Sequence, residues 1–231
     1  MIAYDWTNIE KVKCHKEVVW KDLQHGDEIE KREYLSVTLK SSGIKQLTVI
    51  MMNPSNADSE ESDATINKIV KHFNKNDNKL YRDIKTINIV NLFSICSSKS
   101  KELNEKLEKI ILNNVIEVSD IIFSNRSMIE TKISDSEFIV LAWGDCPIDF
   151  YATTYFREIE YVMNFLKKFE KKKTFIFHVE NKRAKARGVA YDNELTSLKN
   201  PVHPSNGEIK SMIKIKIDAL NRIIPYKHIR I

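Results

Sequence analysis

The chain has 231 residues, 42% of them hydrophobic, enough for one large domain with a proper core and less suited to two small ones. Lys and Arg number 37 against 32 Asp and Glu, and the resulting net charge of +5 permits a nucleic-acid partner without demanding one. No apolar run is long enough for a membrane span, and the start MIAYDWTNIE lacks the apolar segment of a signal peptide. Three scattered cysteines, Cys14, Cys96 and Cys146, point to a reducing cytoplasm without a disulfide framework. No CxxC, HExxH or GxGxxG occurs, so neither a metal nor a dinucleotide cofactor is expected.

In chain order, residues 1–40 read as an N-terminal extension with strands at KEVVW (16–20) and EYLSVTL (33–39), joined by a polar turn around Gly26. LTVIMMN (47–53) is a continuous apolar run, the mark of a buried parallel strand. Asp63 then stands as a helix N-cap before Ile66, Ile69, Val70 and Phe73 at helical spacing. TINIVNLF (86–93) is a second buried strand. Ser98 or Ser100 opens a helix with Leu103, Leu107, Ile110, Ile111 and Val115 on its apolar face. IIFSN (121–125) fits either a strand or a helix. EFIVLAWG (137–144) and TFIFHVE (174–180) are further strands on either side of the helix YFREIEYVMNFLKKF, and the tail from Gly207 to Asn221 reads as a last amphipathic helix. Alternating strands and helices predict a single three-layer α/β/α domain over 1–231, with a central, mostly parallel four-stranded sheet and extra N-terminal strands.

Four polar signatures fall at or just beyond strand ends: Asn53-Pro54-Ser55, Asn91-Leu92-Phe93, Trp143-Gly144-Asp145 and His203-Pro204-Ser205. Parallel strands carry their carboxyl ends on one edge, so these segments can converge on a single cleft. A residue before proline is pushed out of the helical region, which holds Asn53 extended at its strand's tip. Trp143 suits either the core or a stacking platform. Basic residues concentrate in KKFEKKK (167–173) and ENKRAKARG (180–188). Arg183, Lys185 and Arg187 are the candidates there for phosphate contact, against the plainer reading of a solvated helix end and loop.

Over roughly residues 45–210 this set of motifs resembles the uracil-DNA glycosylase superfamily. In that superfamily the first strand ends in GQDPY or GINPG, whose Asp or Asn before proline positions the attacking water, and Asn53 takes that place. The resemblance places Asn91 as reader of the base edge, matches IVLAWG to LLWG, and places His203 as donor to the leaving base. It adds Ser55, Phe93 and Trp143 to the base pocket and Ser205 to the nucleic-acid backbone contacts. Over the full MNPS, DxTI, NLF, AWG and HP set, the closer likeness is to a family of uncharacterised bacterial and phage proteins, a distant relative of pseudo-glycosylase type.

The departures from the glycosylase pattern set the functional expectation. Base excision develops positive charge on the sugar and negative charge on the base, and an amide at Asn53 can orient water but offers no charge. Losing one such stabilising group costs roughly 3 kcal/mol of barrier, about a hundredfold in rate. Met51 stands where the pattern has glycine, Ser55 where it has the thymine-excluding tyrosine, and no aromatic follows Asn53 in the stacking position, Ile66 being nearest. Asn206-Gly207-Glu208 replaces an apolar wedge, and the run Asp58, Glu60, Glu61 and Asp63 adds negative charge.

The expectation is therefore a degenerate pocket in which Asn53 and His203 are vestigial. It would serve as a binding module for DNA, single- or double-stranded, or for an acidic DNA-mimic inhibitor protein. The alternative is an active N-glycosidic-bond hydrolase in which the same two residues work, on uracil or a modified base. A metal-dependent hydrolase using Asp58, Glu60, Glu61 and Asp63, with Asp145 or Asp149, is the third reading, set against an acidic solvated loop and a helix cap.

Overall fold

The computed structural model describes residues 2–22, 25–74, 78–97, 99–113, 115–169, 172–180 and 194–230. The chain runs β1 (Ile2–Ala3), β2 (Ile9–Lys21), β3 (Glu28–Leu39), β4 (Lys45–Met51), β5 (Glu61–Ser62), α1 (Ala64–Phe73), α2 (Lys79–Asp83) and β6 (Ile84–Asn91). It continues through α3 (Ser100–Asn113), α4 (Val115–Asp135), β7 (Phe138–Leu141), α5 (Ala152–Leu166), β8 (Lys173–Glu180), β9 (Glu208–Ile217) and β10 (Ile223–Arg230). Strands β1 and β5 form a small separate pair, and the other eight make one sheet in the order β10-β9-β8-β7-β4-β6-β3-β2.

This corrects the expected fold. The sheet is mixed and mostly antiparallel, with four antiparallel pairings (β2/β3, β3/β6, β8/β9, β9/β10) against three parallel ones (β6/β4, β4/β7, β7/β8). The central four-stranded, mostly parallel sheet does not describe it, for two physical reasons. The N-terminal strands are long and hydrogen-bonded into the sheet, Leu35 facing Ile89 across β3 and β6. The predicted C-terminal helix is instead an antiparallel hairpin. In Ile213-Lys214-Ile215-Lys216-Ile217 apolar and charged residues alternate with period two, and β-branched side chains suit a pleated surface better than a helix. The hairpin turns at Asp218, whose Oδ1 accepts from the backbone N–H groups of Leu220 and Arg222. The ambiguous stretch at 121–125 lies inside α4.

The central strands are buried on both faces, which is why they read as continuous apolar runs. Leu47, Val49 and Met51 of β4 join one cluster with Ile87, Ile89, Val140 and Phe175, covered by Ile66, Ile69 and Phe73 of α1. Ile50, Leu141 and Ile176 point the other way, toward Leu103 and Ile110 of α3, Ile129 of α4 and Val162 and Met163 of α5. Asp63 caps α1 as predicted, its Oδ1 accepting from Thr65 and Ile66 N–H at 2.6 and 2.7 Å. Among the described residues no helix is long and apolar enough to cross a membrane.

Candidate functional site

Strands β4 and β7 run parallel and adjacent, so the segments leaving their carboxyl ends emerge side by side. Together with the turn at 203–206 they wall a cavity of about 530 Å³. Asn53, Trp143, Asp145, Cys146, Thr196 and His203 are among its lining residues, with Ser205 beside them. Three of the four polar signatures thus converge.

Gly144 makes the convergence sterically possible. Its φ of +81° lies in the left-handed region, and a Cβ there would stand 3.2 Å from the Cβ of His203. Its N–H donates to the Pro201 carbonyl at 2.9 Å and its own carbonyl accepts from the buried Tyr155 hydroxyl at 2.6 Å. The turn after β7 is thereby fixed against both the 201–203 segment and α5.

The two lead residues present complementary hydrogen-bonding atoms. The Nδ2 of Asn53 donates to the carbonyls of Ser97 (2.7 Å) and Pro54 (3.2 Å), which fixes the amide and leaves Oδ1 as an acceptor without a partner among the described residues. His203 opens the short 3₁₀ turn Pro204–Asn206, where its Nδ1 accepts from the Ser205 backbone N–H at 3.2 Å and lies 2.7 Å from the Ser205 hydroxyl. Burial pushes the imidazole pKa down to about 4, Lys68 assists, and Asp63 opposes. The ring is therefore neutral at pH 7. With Nδ1 accepting, the single ring proton sits on Nε2, which makes that nitrogen a donor. The turn is also held from α1, where Lys68 Nζ donates to the carbonyls of Pro204 (3.3 Å) and Ser205 (3.4 Å).

Other predicted residues stand elsewhere. Asn91 ends β6 opposite Met51, but its side chain is fully buried outside the cavity lining, and neither amide atom makes a hydrogen bond among the described residues. Phe93 is buried edge-on against Phe150, ring centroids 4.9 Å apart. Trp143 is 1% exposed, so it is a wall of the core more than an open stacking platform, and its indole N–H has no partner among the described residues. Ser55 donates its hydroxyl to Asp63 Oδ2, away from the cavity lining. Arg183, Lys185 and Arg187 lie outside the described residues. Of the acidic run, Asp63 is engaged as a cap and Asp58 accepts from the backbone N–H groups of Glu60 and Glu61. Among the described residues no three His, Cys, Asp or Glu side chains come together as a metal-binding group.

The sequence offered Asp145 only within the Trp143-Gly144-Asp145 signature and as a candidate carboxylate of a metal-dependent hydrolase, and it gave Arg32 no role. Asp145 lines the cavity, and its Oδ1 accepts from Thr196 Oγ1 (2.5 Å) and Asn200 Nδ2 (2.8 Å), while Oδ2 has no partner among the described residues. The position was legible as a carboxylate after Trp143-Gly144, but its partners lie more than 50 residues on and carry no motif. Arg32 of β3 is fully buried, and its Nη1 donates to the Ala57 carbonyl at 2.8 Å, tying down the loop after Asn53. Cys146 also lines the cavity, where burial and Asp145 raise its pKa and so favour the thiol over the thiolate.

The fold and this cavity define a mixed α/β domain with a hydrogen-bonding site at the strand ends. The chain belongs to the family described as Protein of unknown function (DUF1643), whose model matches residues 32–205. No curated protein and no solved structure matches the chain. The family match covers all four polar signatures and the Arg32 anchor, and by itself assigns no activity.

Proposed function

We propose that the protein is a binding module whose cavity recognises a pyrimidine-like base edge, as part of nucleic acid or as the equivalent groups of an acidic DNA-mimic inhibitor protein. The observation that carries this reading is the pairing of a fixed acceptor, Asn53 Oδ1, with a fixed donor, His203 Nε2–H, on one cavity. A cyclic imide or amide edge offers an N–H beside a carbonyl and is met by that pair. The uracil-DNA glycosylase resemblance of the NPS and HPS segments supports the same assignment. Replacement of the water-activating carboxylate by Asn53 supports binding without efficient excision.

A second reading is favoured by one specific feature. Asp145 brings a carboxylate to the cavity, with one oxygen held by two donors and the other without a partner among the described residues. Such a group could accept a proton from an attacking water while His203 donates to the departing base, which is N-glycosidic hydrolysis with the carboxylate moved to another strand end.

One experiment separates the two. Single- and double-stranded oligonucleotides carrying uracil, mismatched thymine or modified pyrimidines are incubated with the protein, and abasic sites are read by alkaline cleavage. Controls are Asn53→Ala/His203→Ala and Asp145→Asn. The binding module predicts retention of the oligonucleotide or of an acidic inhibitor without cleavage, weakened by the double variant. Cleavage by the wild type that Asp145→Asn abolishes would replace it with the hydrolase.

A further inference from the structure

The end of the sheet opposite the cavity carries a groove that the reading above does not use. It has a volume of about 590 Å³ and lies between the C-terminal end of α5 and the β9–β10 hairpin. Five lysines line it: Lys167, Lys172, Lys173, Lys214 and Lys216. Among the described residues the one carboxylate in its lining, Asp218, is engaged by Arg222 at 2.6 Å and by two backbone N–H groups of the hairpin turn.

The lysines divide by what holds them. Lys172 donates to the carbonyls of Ile133, Ser134 and Ser136 at 2.6–2.7 Å, and Lys167 to the carbonyl of Ala219 at 2.9 Å. These two are anchored to backbone at the wall of the groove. Lys173, Lys214 and Lys216 make no ion pair among the described residues. Lys214 lies over the ring of Tyr226 (5.6 Å), a groove residue that is 40% exposed, and Phe169 adds a second ring to the lining.

A neighbouring depression shows what a balanced lining looks like. It shares Lys172 and Lys173 with the groove and adds Lys45, but it also holds Asp135 and Glu137. Lysines on a solvated surface normally scatter among carboxylates. Here they face one concavity whose carboxylate among the described residues, Asp218, is already engaged by Arg222, and like charges gathered this way repel unless an anion lies between them. Ammonium groups interleaved with exposed aromatic faces match a chain of phosphates bearing unpaired bases, because every base has a face to stack.

We propose that this groove binds the phosphate backbone of single-stranded nucleic acid, with Lys173, Lys214 and Lys216 as phosphate contacts and Tyr226 as a stacking surface. The assignment is independent of the cavity and stands or falls separately from it.

The test is fluorescence anisotropy of a labelled oligothymidylate against the full chain over a series of salt concentrations, with Lys173→Gln/Lys214→Gln/Lys216→Gln and Tyr226→Leu as variants. Each phosphate neutralised contributes about −0.7 to the log–log salt slope for a single strand, so losing three contacts reduces the slope by roughly 2. The Tyr226 variant binds more weakly with an unchanged slope. In the Asn53→Ala/His203→Ala background the three lysine substitutions still reduce the slope by roughly 2, whatever the cavity variant does to affinity, which separates this site from the cavity. A thermal melt confirms that the lysine variant is folded, and Lys216→Glu alone, at an exposed position, gives a second reading of the slope. An unchanged slope in the triple variant overturns the proposal. So does equal displacement by polyglutamate, which would make the groove an acidic-protein surface, or saturation by free thymidine triphosphate as tight as by the oligonucleotide, which would make it a nucleotide pocket.

Discussion

The two ends of the central strands solve opposite problems. At the carboxyl ends, the polar groups that present hydrogen-bonding atoms are tied down: Asn53 to the Ser97 and Pro54 carbonyls, His203 to the Ser205 N–H, Asp145 to Thr196 and Asn200, and Lys68 to the 204–205 carbonyls. Among the described lysines of the groove, Lys167 and Lys172 are tied in this way, and Lys173, Lys214 and Lys216 contribute charge without geometry. A site that reads hydrogen-bond direction has to be built into the fold. A site that attracts charge can be carried by flexible side chains on its surface. Substitutions at the cavity should therefore cost stability as well as binding, whereas substitutions at the groove should cost binding alone.

The largest stability effect is expected at Gly207, where a Cβ would sit 2.1 Å from the Glu180 carbonyl oxygen. The chain closes here against the end of β8, and Gly207→Ala can be accommodated only by moving backbone. Urea unfolding should show a loss at the upper end of the ~1–3 kcal/mol typical of overpacking. A loss below ~0.5 kcal/mol would mean that the turn carrying His203 is looser than its contacts imply.

The next effect is pH-dependent. His203 has a folded pKa of about 4 against 6.5 for the free side chain. The unfolded chain therefore binds the proton first, and stability rises with pH across that window. Acidifying from pH 6.5 to 4 should remove about 1–3 kcal/mol, the lower part of the range reflecting the partial exposure of the ring. His203→Gln should flatten that slope. An unchanged slope in the variant would assign the acid sensitivity to other groups.

Asn53→Ala comes third. It leaves the Ser97 carbonyl without its side-chain donor in a partly buried setting, at a cost of about 1–2 kcal/mol in chemical unfolding. Ligand binding should fall by more than that change accounts for, because Oδ1 is lost too. Smallest of all, Lys173→Gln/Lys214→Gln/Lys216→Gln should shift stability by no more than ~0.5 kcal/mol while removing the salt-dependent binding. A strong destabilisation by these lysines would break the contrast between the two ends.

Much of the site was legible from the chain. Continuous apolar runs marked β4, β6, β7 and β8, and Asp63 announced the start of α1. The placement of the NPS and WGD segments on one edge follows from parallel pairing of β4 with β7, and the HPS segment joins them because β9 starts beside the end of β8 in antiparallel pairing. Asn91 was harder to read. A strand-end asparagine looks the same in sequence whether it opens to a cavity or is sealed under the core, and here it is sealed. The last strands were misread because residues 207–221 supply enough apolar positions for a helical face, while the Lys-Ile alternation within them has the period of a strand.

What the sequence by itself determined is local: which runs are apolar enough to be buried strands, where a proline or a glycine fixes a turn, and which residue types carry hydrogen-bonding chemistry. Those properties depend on steric limits and solvation acting over a few residues. What only the tertiary structure decided is long-range. It set the eight-stranded mixed sheet, the Thr196 and Asn200 clasp on Asp145, the Arg32 anchor beneath the Asn53 loop, and the lysines that follow α5 and those of β8 and β9 around one groove. Strand order and partner choice are settled by how buried faces match across the whole core, and no short stretch of chain contains that information.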